Sequence, residues 1–577
     1  MHEAAATWCI AQQLSADVKQ IAGDLRIPPL VVRVLINRGL RDGGEIERFL
    51  RPSSAHLHSP FAFRHMDRAV NRVAGALARG EKILVQGDYD VDGSASSALL
   101  LNCLRHLGGN VQASIPVRAL DGYGLNERVV REAAQDGVKL LITCDNGTTA
   151  VKEVALGNEL GIDTIITDHH TVPPELPRAF AILNPHVSDE KLSFKDLCGA
   201  GVAYKLALAL IERLQPNVAQ NGWRDFLESA QSLVAMAAIA DVVPLKGENR
   251  VFSRFGLRSM PQSANPGIRA LMEIASLDRV PTGTDVAFKL APRLNAGGRL
   301  GRETLALEIL TSPSYGEAVK LVAESDVLNR RRQQLDREHT KKAADIVRAD
   351  AAYEQDRVLV VGHDDFHAGV VGIVAARLTE TFNKPAVLVA FKGEHGRGSG
   401  RSVPGFHLYN ALNDCAHLMK RFGGHEQAAG LEITRENFGQ LRRAVNDVAG
   451  RHVLNGDYAT RTLDIDAEVT FSEIDMPAVE YLQLMEPFGE GNAEPLFSAR
   501  AVEVVAAPKV VGRGTGHLSL LVRQTGGPAF RAIGFGMGPQ APEIARGDKL
   551  RIAFAPIINE FRGSREVELS LKSVRKE

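Results

Sequence analysis

The sequence predicts an α/β protein with two α/β lobes, a long helix linking them and a small C-terminal β-barrel. Short apolar segments alternate with amphipathic ones between residues 82 and 185, which is the rhythm of a parallel sheet with crossover helices. Residues 314–350 keep a helical spacing of apolar side chains, with no Pro or Gly after Gly316. From about residue 456 onward, short alternating strands are separated by Gly and Pro. At roughly 150 residues per domain, the 577 residues are enough for three or four domains.

The composition is that of a globular protein, because 45% of the residues are hydrophobic and 24% are charged. The five cysteines form no CxxC pair, which disfavours a disulfide scaffold and a thiolate zinc site and favours a reducing cytoplasm. No apolar run approaches the ~18 residues of a membrane span, and the N-terminus lacks the basic start of a secretory signal. The net charge of −1 hides a basic C-terminal region: residues 500–577 hold 13 basic and 7 acidic side chains, a charge of +6 (13 − 7). Such a region is compatible with a polyanionic partner.

The first lobe is predicted to contain five buried parallel strands. Their segments are rich in Val, Ile, Leu and Ala and do not alternate strictly with polar residues, as expected for strands covered on both faces. The strand segments are residues 82–88, 111–117, 139–145, 163–168 and 179–185. Residues 93–107 and 148–160 are predicted as helices between strands, and from residue 199 to about 308 the pattern is helical.

The second lobe follows the predicted linking helix. It begins with a strand segment at 357–364 and continues with a helix over 369–381 and a strand over 385–391. The segment GRGSGRS (396–402) is expected to be a Gly-rich turn. The basic, strand-rich C-terminal region fits an OB-fold. The predicted domains are an N-terminal segment (1–60), the first lobe with its helical extension (61–312), the linking helix (313–350), the second lobe (351–455) and the OB-fold domain (456–577).

Acidic residues cluster directly after the first predicted strand. Asp88, Asp90 and Asp92 alternate along the chain, and on an extended backbone their side chains point the same way. Three carboxylates held close together repel each other unless cations neutralise them. The alternative is a surface turn that caps the next helix, although a cap would use one Asp.

Three further motifs place polar side chains at the ends of predicted elements. CDNG contains Asp145, and TDHH contains the His169–His170 pair. ADVVP places Asp241 at the end of an apolar helix. The helix dipole favours positive charge at that end, so an aspartate there needs another reason to be present. Because open α/β sheets gather ligands at the carboxyl ends of their strands, we expect these side chains to converge. Oxygen ligands with one imidazole suit Mn²⁺ or Mg²⁺ better than Zn²⁺. The predicted ligands of two such cations are Asp90, Asp92, Asp145, His169 and Asp241. Two such cations can act on a phosphoryl centre, and His170 is expected to orient the attacking water or contact the phosphate.

These motifs resemble those of the DHH phosphoesterase superfamily and, within it, the RecJ family of single-strand-specific DNA exonucleases. The order and spacing of ten segments carry the resemblance, which runs over essentially the whole chain. The segments are DYDVDG (88–93), CDNG (144–147), TDHH (167–170), CGAGVAYKL (198–206), ADVVPL (240–245), APRLNAGGRLG (291–301), FHAGVVGIVAARL (366–378), GSGRSVPGFHL (398–408), FGGHEQAAG (422–430) and EPFGEGNAEPLF (486–497).

The resemblance implies a DHH domain, a DHHA1-type second lobe and stepwise 5′→3′ hydrolysis of single-stranded DNA to 5′-mononucleotides in recombination, recombinational repair and mismatch repair. It matches the five predicted residues to the family's metal ligands and places Asp88 and His170 beside them as catalytic residues. It also implies a set of residues that bind the 5′-phosphate and the DNA: Arg118, Arg293, Arg299, His367, Ser399, Arg401, Ser402 and His425. For the two histidines of that set, a buried structural role is the alternative. Aromatic side chains of the barrel are expected either to stack on bases or to pack in its core, namely Phe530, Phe535, Phe554 and Phe561.

Two other functions remain open at this point. Smaller DHH proteins hydrolyse oligonucleotides or nucleoside bisphosphates, but they lack a long basic C-terminal barrel. Non-catalytic RecJ-like replication scaffolds have typically lost metal-binding residues, whereas every carboxylate is present here. The partners implied by the resemblance are single-stranded DNA, a single-strand-binding protein and a RecQ-type helicase, for a monomeric cytoplasmic enzyme.

Overall fold

A computed structural model of the chain describes residues 7–12, 18–118, 122–187, 192–215, 222–452, 458, 462–512, 516–561 and 563–577. The chain divides into two compact units. Among the described residues, the large unit comprises those within Ala6–Ser114, Gly124–Ala291 and Thr462–Glu577, and the small unit comprises those within Ile115–Tyr123 and Pro292–Arg461. No helix in the described ranges has both the length and the apolar character needed to cross a membrane.

The described chain contains both helices and strands throughout. The strands are β1 (Thr7–Ile10), β2 (Lys82–Gln86), β3 (Val111–Ser114), β4 (Val138–Cys144), β5 (Asp163–Thr167), β6 (Ala181–Leu183), β7 (Leu359–His363), β8 (Ala386–Lys392), β9 (His395–Arg401), β10 (Met419–Gly424), β11 (Ala428–Thr434), β12 (Thr462–Ile465), β13 (Ala467–Glu468), β14 (Phe497–Val504), β15 (Lys509–Val511), β16 (His517–Arg523), β17 (Ala529–Gly534), β18 (Lys549–Phe561) and β19 (Ser564–Lys576). The α-helices are α1 (Val18–Leu25), α2 (Pro29–Asn37), α3 (Gly43–Leu50), α4 (Met66–Arg79), α5 (Val91–His106), α6 (Glu127–Gln135), α7 (Val151–Glu159), α8 (Gly199–Leu214), α9 (Trp223–Ala240), α10 (Gly247–Ser259), α11 (Pro266–Ile274), α12 (Gly283–Asp285), α13 (Ala291–Arg299), α14 (Leu305–Leu310), α15 (Tyr315–Ala349), α16 (Ala352–Gln355), α17 (Val371–Phe382), α18 (Leu408–Asn413), α19 (Arg435–His452) and α20 (Met476–Gln483).

The large unit contains the predicted five-stranded parallel sheet. Its strand order is β3-β2-β4-β5-β6, and every neighbouring pair is parallel. The predicted two-sided burial is confirmed for β4, in which six of the seven residues are buried, but every residue of the edge strand β3 is only half-buried. Helices α5, α8 and α9 pack against one another beside the sheet. The carboxyl ends of β2, β4, β5 and β6 therefore lie along one edge, where polar side chains follow each strand.

The C-terminal part of the large unit is a closed barrel. Strand β14 pairs with β18 on one side and with β16 on the other, which closes the circuit β14-β18-β19-β17-β16. Phe471, Phe497 and Phe554 fill its interior with almost no exposed surface. The predicted OB-like barrel is confirmed, and closure removes the sheet edges that would otherwise attract another strand.

The N-terminal helices α1–α3 share one hydrophobic core with this barrel, a placement that no local sequence pattern predicts. Arg38, after α2, forms a two-pronged ion pair with Asp466, with nitrogen–oxygen distances of 2.7 and 2.9 Å. Strand β1 adds in parallel to β12. The first described residues and the barrel domain are therefore packed as one body.

The small unit is built on the mixed sheet β10-β11-β9-β8-β7, in which only β7 and β8 are parallel. The predicted long helix is confirmed as α15, and it packs on α17 within this unit. The prediction of a Gly-rich turn at 396–402 is wrong, because this segment is mainly strand β9. Gly396, Gly398 and Gly400 point into the core, where an added Cβ would lie 2.6–3.0 Å from Val389, Leu431 or Leu408. The residues between them point the other way.

Candidate metal centre and anion-binding residues

The three alternating aspartates lie on a tight turn from strand to helix and not on an extended chain. Strand β2 ends at Gln86 and α5 begins at Val91, so Asp90 is the N-cap of α5 and accepts a hydrogen bond from Gly93 N at 2.9 Å. The extended-chain reason for their convergence was therefore wrong, and the capping alternative applies to Asp90. Gly93 makes the turn possible, because a Cβ there would lie 2.5 Å from the Asp88 nitrogen. Asp88 itself is fully buried.

Asp145 follows β4 in the left-handed backbone region, with a φ of 63°. A non-glycine residue seldom adopts this conformation, and such strain is found mainly at functional sites. The backbone is fixed on both sides, because Asp145 N donates to Thr167 O at 2.9 Å and the buried Asn146 side chain donates to Cys144 O at 2.8 Å. The strained backbone aims the Asp145 carboxylate into the space beyond the strands.

The His169 side chain lies at the centre of the acidic cluster. Its Nε2 atom lies 3.0 Å from Asp145 Oδ1 and 3.6 Å from both Asp92 Oδ2 and Asp241 Oδ2. Asp241 is the C-cap of α9, as predicted for the end of that apolar helix. One ligand atom each from Asp92, His169 and Asp241 lies within 4.8 Å of the others, and Asp145, His169 and His170 form a second such group. Side chains separated by up to 150 residues therefore meet at one point.

Asp168 is a functional residue that the sequence reasoning missed, although it stands directly before the histidine pair. Its buried carboxylate accepts hydrogen bonds from Thr148 N at 2.9 Å, from His169 N at 2.8 Å and from His170 N at 3.2 Å. It also lies 2.8 Å from His170 Nδ1. Although burial alone would raise it, the pKa of Asp168 is held well below its usual range by the hydrogen bonds from His170 and Thr148. Asp168 thus fixes the backbone of both histidines and the orientation of the His170 ring.

The electrostatics of the cluster follow from crowding and burial. Burial, followed by the charges of Asp92 and Asp90, raises the pKa of Asp145 well above its usual range. Burial and the same two charges raise the pKa of Asp241 to about 8. Burial also raises the pKa of Asp90, against the hydrogen bond from the Gly93 N–H, and the Asp92 charge adds to the rise. The cluster therefore resists full ionisation unless cations are added.

The two histidines differ in protonation. Burial lowers the pKa of His169, which favours the neutral imidazole that a metal ligand requires. For His170, burial opposes protonation, but the hydrogen bond and charge of Asp168 raise the pKa to about 9. Carboxylate oxygens around one neutral imidazole are donors that hold Mn²⁺ or Mg²⁺, so the residues present fit a pair of divalent cations.

In the small unit, Ser399 and Arg401 lie side by side on the outward face of β9. Arg401 Nη1 lies 3.2 Å from Ser399 Oγ and 2.8 Å from Gly400 O, and among the described residues its guanidinium forms no ion pair. Burial lowers the pKa of Arg401, which marks a partly desolvated cation. The Ser402 hydroxyl is used differently, because it donates to Phe406 O at 2.6 Å. The first two residues therefore suit an anion better than the third.

The remaining predicted DNA-binding residues are spread over the small unit. Arg299 Nη1 donates to Gly369 O at 3.2 Å, and Arg293 is ion-paired with Asp326 at 3.0 Å. His367 and His425 are exposed, so the buried structural alternative does not apply to either. Although the His367 residue is exposed overall, partial desolvation of its ring, followed by the positive charges of Arg331 and Arg118, lowers the pKa of His367, which places Arg118 near this loop.

The barrel aromatics divide into two groups. Phe530 and Phe554 are core residues, 8% and 0% exposed, so they are not available for stacking. Phe535 is 64% exposed and makes an edge contact with the His517 ring, with centroids 5.1 Å apart. The Phe561 side chain lies outside the described part of the structure. Among the three of these side chains that the structure describes, Phe535 is exposed enough to stack on a base.

Comparison with known proteins agrees with this site. Family models match for the DHH family N-terminal domain (residues 82–237), the DHHA1 domain (355–451) and the RecJ OB domain (465–573). The chain is 33% identical over 570 residues to the single-stranded-DNA-specific exonuclease RecJ of Bacillus subtilis, covering 98% of this chain and 70% of that protein. It is 34% identical over 565 residues to the protein of that name from Dickeya dadantii, covering 95% and 96%. The chain belongs to the RecJ family.

Solved structures support the same family assignment. The crystal structure of RecJ from Thermus thermophilus in complex with Mn²⁺ superposes with a TM-score of 0.83 at 29% identity, covering 99% of this chain and 80% of that one. The Mg²⁺ complex gives a TM-score of 0.76 at 27% identity, covering 99% and 78%. The RecJ fold therefore extends over the whole of this chain, including the barrel.

Proposed function

We propose that this RecJ-family chain is a metal-dependent 5′→3′ exonuclease that degrades single-stranded DNA to 5′-mononucleotides in recombination, recombinational repair and mismatch repair. The observation that carries the proposal is the meeting of Asp92, Asp145 and Asp241 around His169 Nε2, at 3.0–3.6 Å. The curated relatives with this architecture are single-stranded-DNA-specific exonucleases.

The proposed site holds two divalent cations, Mn²⁺ or Mg²⁺. Their proposed ligands are Asp90, Asp92, Asp145, His169 and Asp241. When bound, such cations activate a water molecule and neutralise charge on the phosphodiester oxygens. The protein supplies a neutral imidazole and a set of carboxylates that are crowded before any cation arrives.

The chain's own residues have distinct proposed tasks around this centre. His170 is protonated at neutral pH, because Asp168 raises its pKa to about 9, and its Nε2–H can donate to a phosphate oxygen. Asp168 is a positioning residue, since its carboxylate accepts hydrogen bonds from the backbone N–H groups of Thr148, His169 and His170. Asp88 is fully buried, so we assign it to support of the turn that carries Asp90 and Asp92.

The small unit is proposed to hold the DNA. Ser399 and Arg401 form an anion site for the 5′-phosphate, because a partly buried guanidinium beside a hydroxyl is satisfied by a phosphate oxygen. A further group is proposed to contact the strand through its phosphates: Arg118, Arg293, Arg299, His367, Ser402 and His425. The basic barrel binds the strand through backbone charge and through Phe535.

We propose the domain boundaries that the sequence predicts, with residues 1–60, 61–312, 313–350, 351–455 and 456–577 as the successive segments. We further propose a monomer that acts in the cytoplasm with a single-strand-binding protein and a RecQ-type helicase. These assignments rest on the family's role in DNA processing.

Digestion of end-labelled single strands tests the proposed function. With Mn²⁺, a 5′-labelled strand should release labelled mononucleotide at once, whereas a 3′-labelled strand should shorten progressively. Asp90→Ala should abolish cleavage and leave single-strand binding within about three-fold, because the phosphate contacts lie elsewhere. A smaller phosphoesterase would instead prefer dinucleotides over long strands, and a scaffold would cleave neither. Nuclease activity retained by Asp90→Ala would refute the metal assignment.

A further inference from the structure

Backbone amides at the N-terminus of α8 donate hydrogen bonds to one of the proposed metal ligands, Asp92. Gly199 N lies 2.6 Å from Asp92 Oδ2 and Ala200 N lies 2.7 Å from Asp92 Oδ1, so two backbone donors fix both carboxylate oxygens. Hydrogen bonds to a carboxylate from a helix N-terminus are charge-assisted and directional. These two hydrogen bonds from α8 therefore hold the Asp92 side chain in one orientation.

The same turn of α8 also lies in close contact with a second proposed ligand, Asp145. A Cβ built on Gly199 would lie 2.7 Å from Asp145 Cβ and 2.8 Å from Asp145 Oδ1. Gly199 is absent from the described residues with positive φ, so its backbone conformation is open to alanine. Glycine is needed here for space and not for conformational freedom.

Neither side of this contact can easily move away. Asp145 is held in the left-handed region between β4 and a hydrogen bond to Thr167 O. Helix α8 is anchored two turns later, where the buried Lys205 ammonium pairs with Glu248 and donates to His58 O at 2.7 Å. Sliding α8 along its axis would break this buried ion pair, which is costly.

We propose that Gly199 is a positioning residue that sets the separation between the Asp92 and Asp145 carboxylates and thereby tunes cation affinity. The inference rests on the proposed metal-dependent function. Any side chain at position 199 must either displace Asp145 or pull the α8 amides off Asp92. Both outcomes disturb the ligand geometry while leaving the ligand residues themselves unchanged.

Gly199→Ala tests this, with Gly201→Ala as the matched control on the same helix. The three atoms nearest to a Cβ at Gly201 all belong to the Leu197 side chain, with the closest at 3.1 Å. Mn²⁺ binding is measured by isothermal titration calorimetry on metal-stripped full-length protein, and single-strand binding by fluorescence anisotropy in EDTA. We expect Gly199→Ala to weaken Mn²⁺ binding at least ten-fold with single-strand binding within two-fold. Gly201→Ala should match the wild type in both measurements.

A double-mutant cycle keeps the test decisive if Gly199→Ala is poorly stable. Asp145→Gly removes the side chain that the new methyl group meets, and glycine suits the φ of 63° at that position. In EDTA, Gly199→Ala should lower Tm less in the Asp145→Gly background than in the wild type, because the contacts with Asp145 Cβ and Oδ1 are removed while the one with Asp145 Cα, at 3.0 Å, remains. An equal loss of Tm in both backgrounds, or wild-type Mn²⁺ affinity in Gly199→Ala, would overturn the inference and leave the proposed function standing. A wild type that binds no Mn²⁺ would overturn both.

Discussion

Asp241→Asn measures how strongly the carboxylate cluster repels itself without cations. Burial and the charges of Asp92 and Asp90 raise the pKa of Asp241 from 3.8 to about 8. A carboxyl whose pKa is raised by folding stabilises the fold fully below its unfolded-state pKa, and this contribution is lost as pH rises through the folded-state value. The metal-free protein should therefore weaken between about pH 4 and pH 8.

The size of the effect follows from the pKa difference. At ~1.36 kcal/mol per pKa unit, the difference between 3.8 and about 8 corresponds to ~6 kcal/mol at most. The Asp241 side chain is 31% exposed, so water reduces both the desolvation and the charge repulsion that raise its pKa, and we expect ~2 kcal/mol. Asp241→Asn removes the charge and should stabilise the metal-free protein by that amount at pH 8.

Differential scanning fluorimetry in EDTA across pH 6–9 measures this stabilisation. At pH 8 the Tm of Asp241→Asn should exceed that of the wild type by several degrees, and the Tm of the variant should depend less on pH. With Mn²⁺ added, the order should reverse, because the variant loses a ligand and gains less stabilisation. Asp136→Asn is the control, since Asp136 is also a helix C-cap but its side chain is 61% exposed. A lower Tm for Asp241→Asn in EDTA at pH 8, or an unchanged pH slope, would refute the reasoning.

Three further changes probe other parts of the structure. Lys205→Met leaves Glu248 buried without its cation and should lower the free energy of unfolding by ~3–5 kcal/mol. The loss is measured as a fall in Tm, and replacing both Lys205 and Glu248 with apolar side chains should partly restore Tm. Arg401→Ala should raise KM about ten-fold or more for 5′-phosphorylated strands and little for 5′-hydroxyl strands. Ser402→Ala should raise KM much less than Arg401→Ala, because the Ser402 hydroxyl donates to Phe406 O. Asp168→Asn removes the partner that raises the His170 pKa to about 9, so the alkaline limb of the pH–rate profile should move toward pH 6.5.

The parallel sheet was predictable because its strands are buried on both faces, and that burial leaves a plain apolar signature in sequence. The barrel was predictable from its short strands and turn residues. The joint packing of α1–α3 with the barrel was not, because it depends on long-range contacts such as Arg38 with Asp466.

Within the site, the identity of the gathered residues was predictable but the reason for their convergence was not. Asp92 meets the other ligands through a strand-to-helix turn that Gly93 permits and that Asp90 caps, which an extended chain would not produce. Asp168 was overlooked because its role depends on His170 folding back onto it. The alternation of glycine in GRGSGRS was a strand signal of period two, and composition alone concealed it.

Anomalous diffraction at the manganese edge, from crystals grown with Mn²⁺, tests the metal centre most directly. Two peaks ~3.5–4 Å apart are expected beside His169 Nε2, each within bonding distance of carboxylate oxygens from Asp90, Asp92, Asp145 or Asp241. A protein that cleaves single strands with Mn²⁺ present but shows no peak at these oxygens would contradict the assignment of the metal centre.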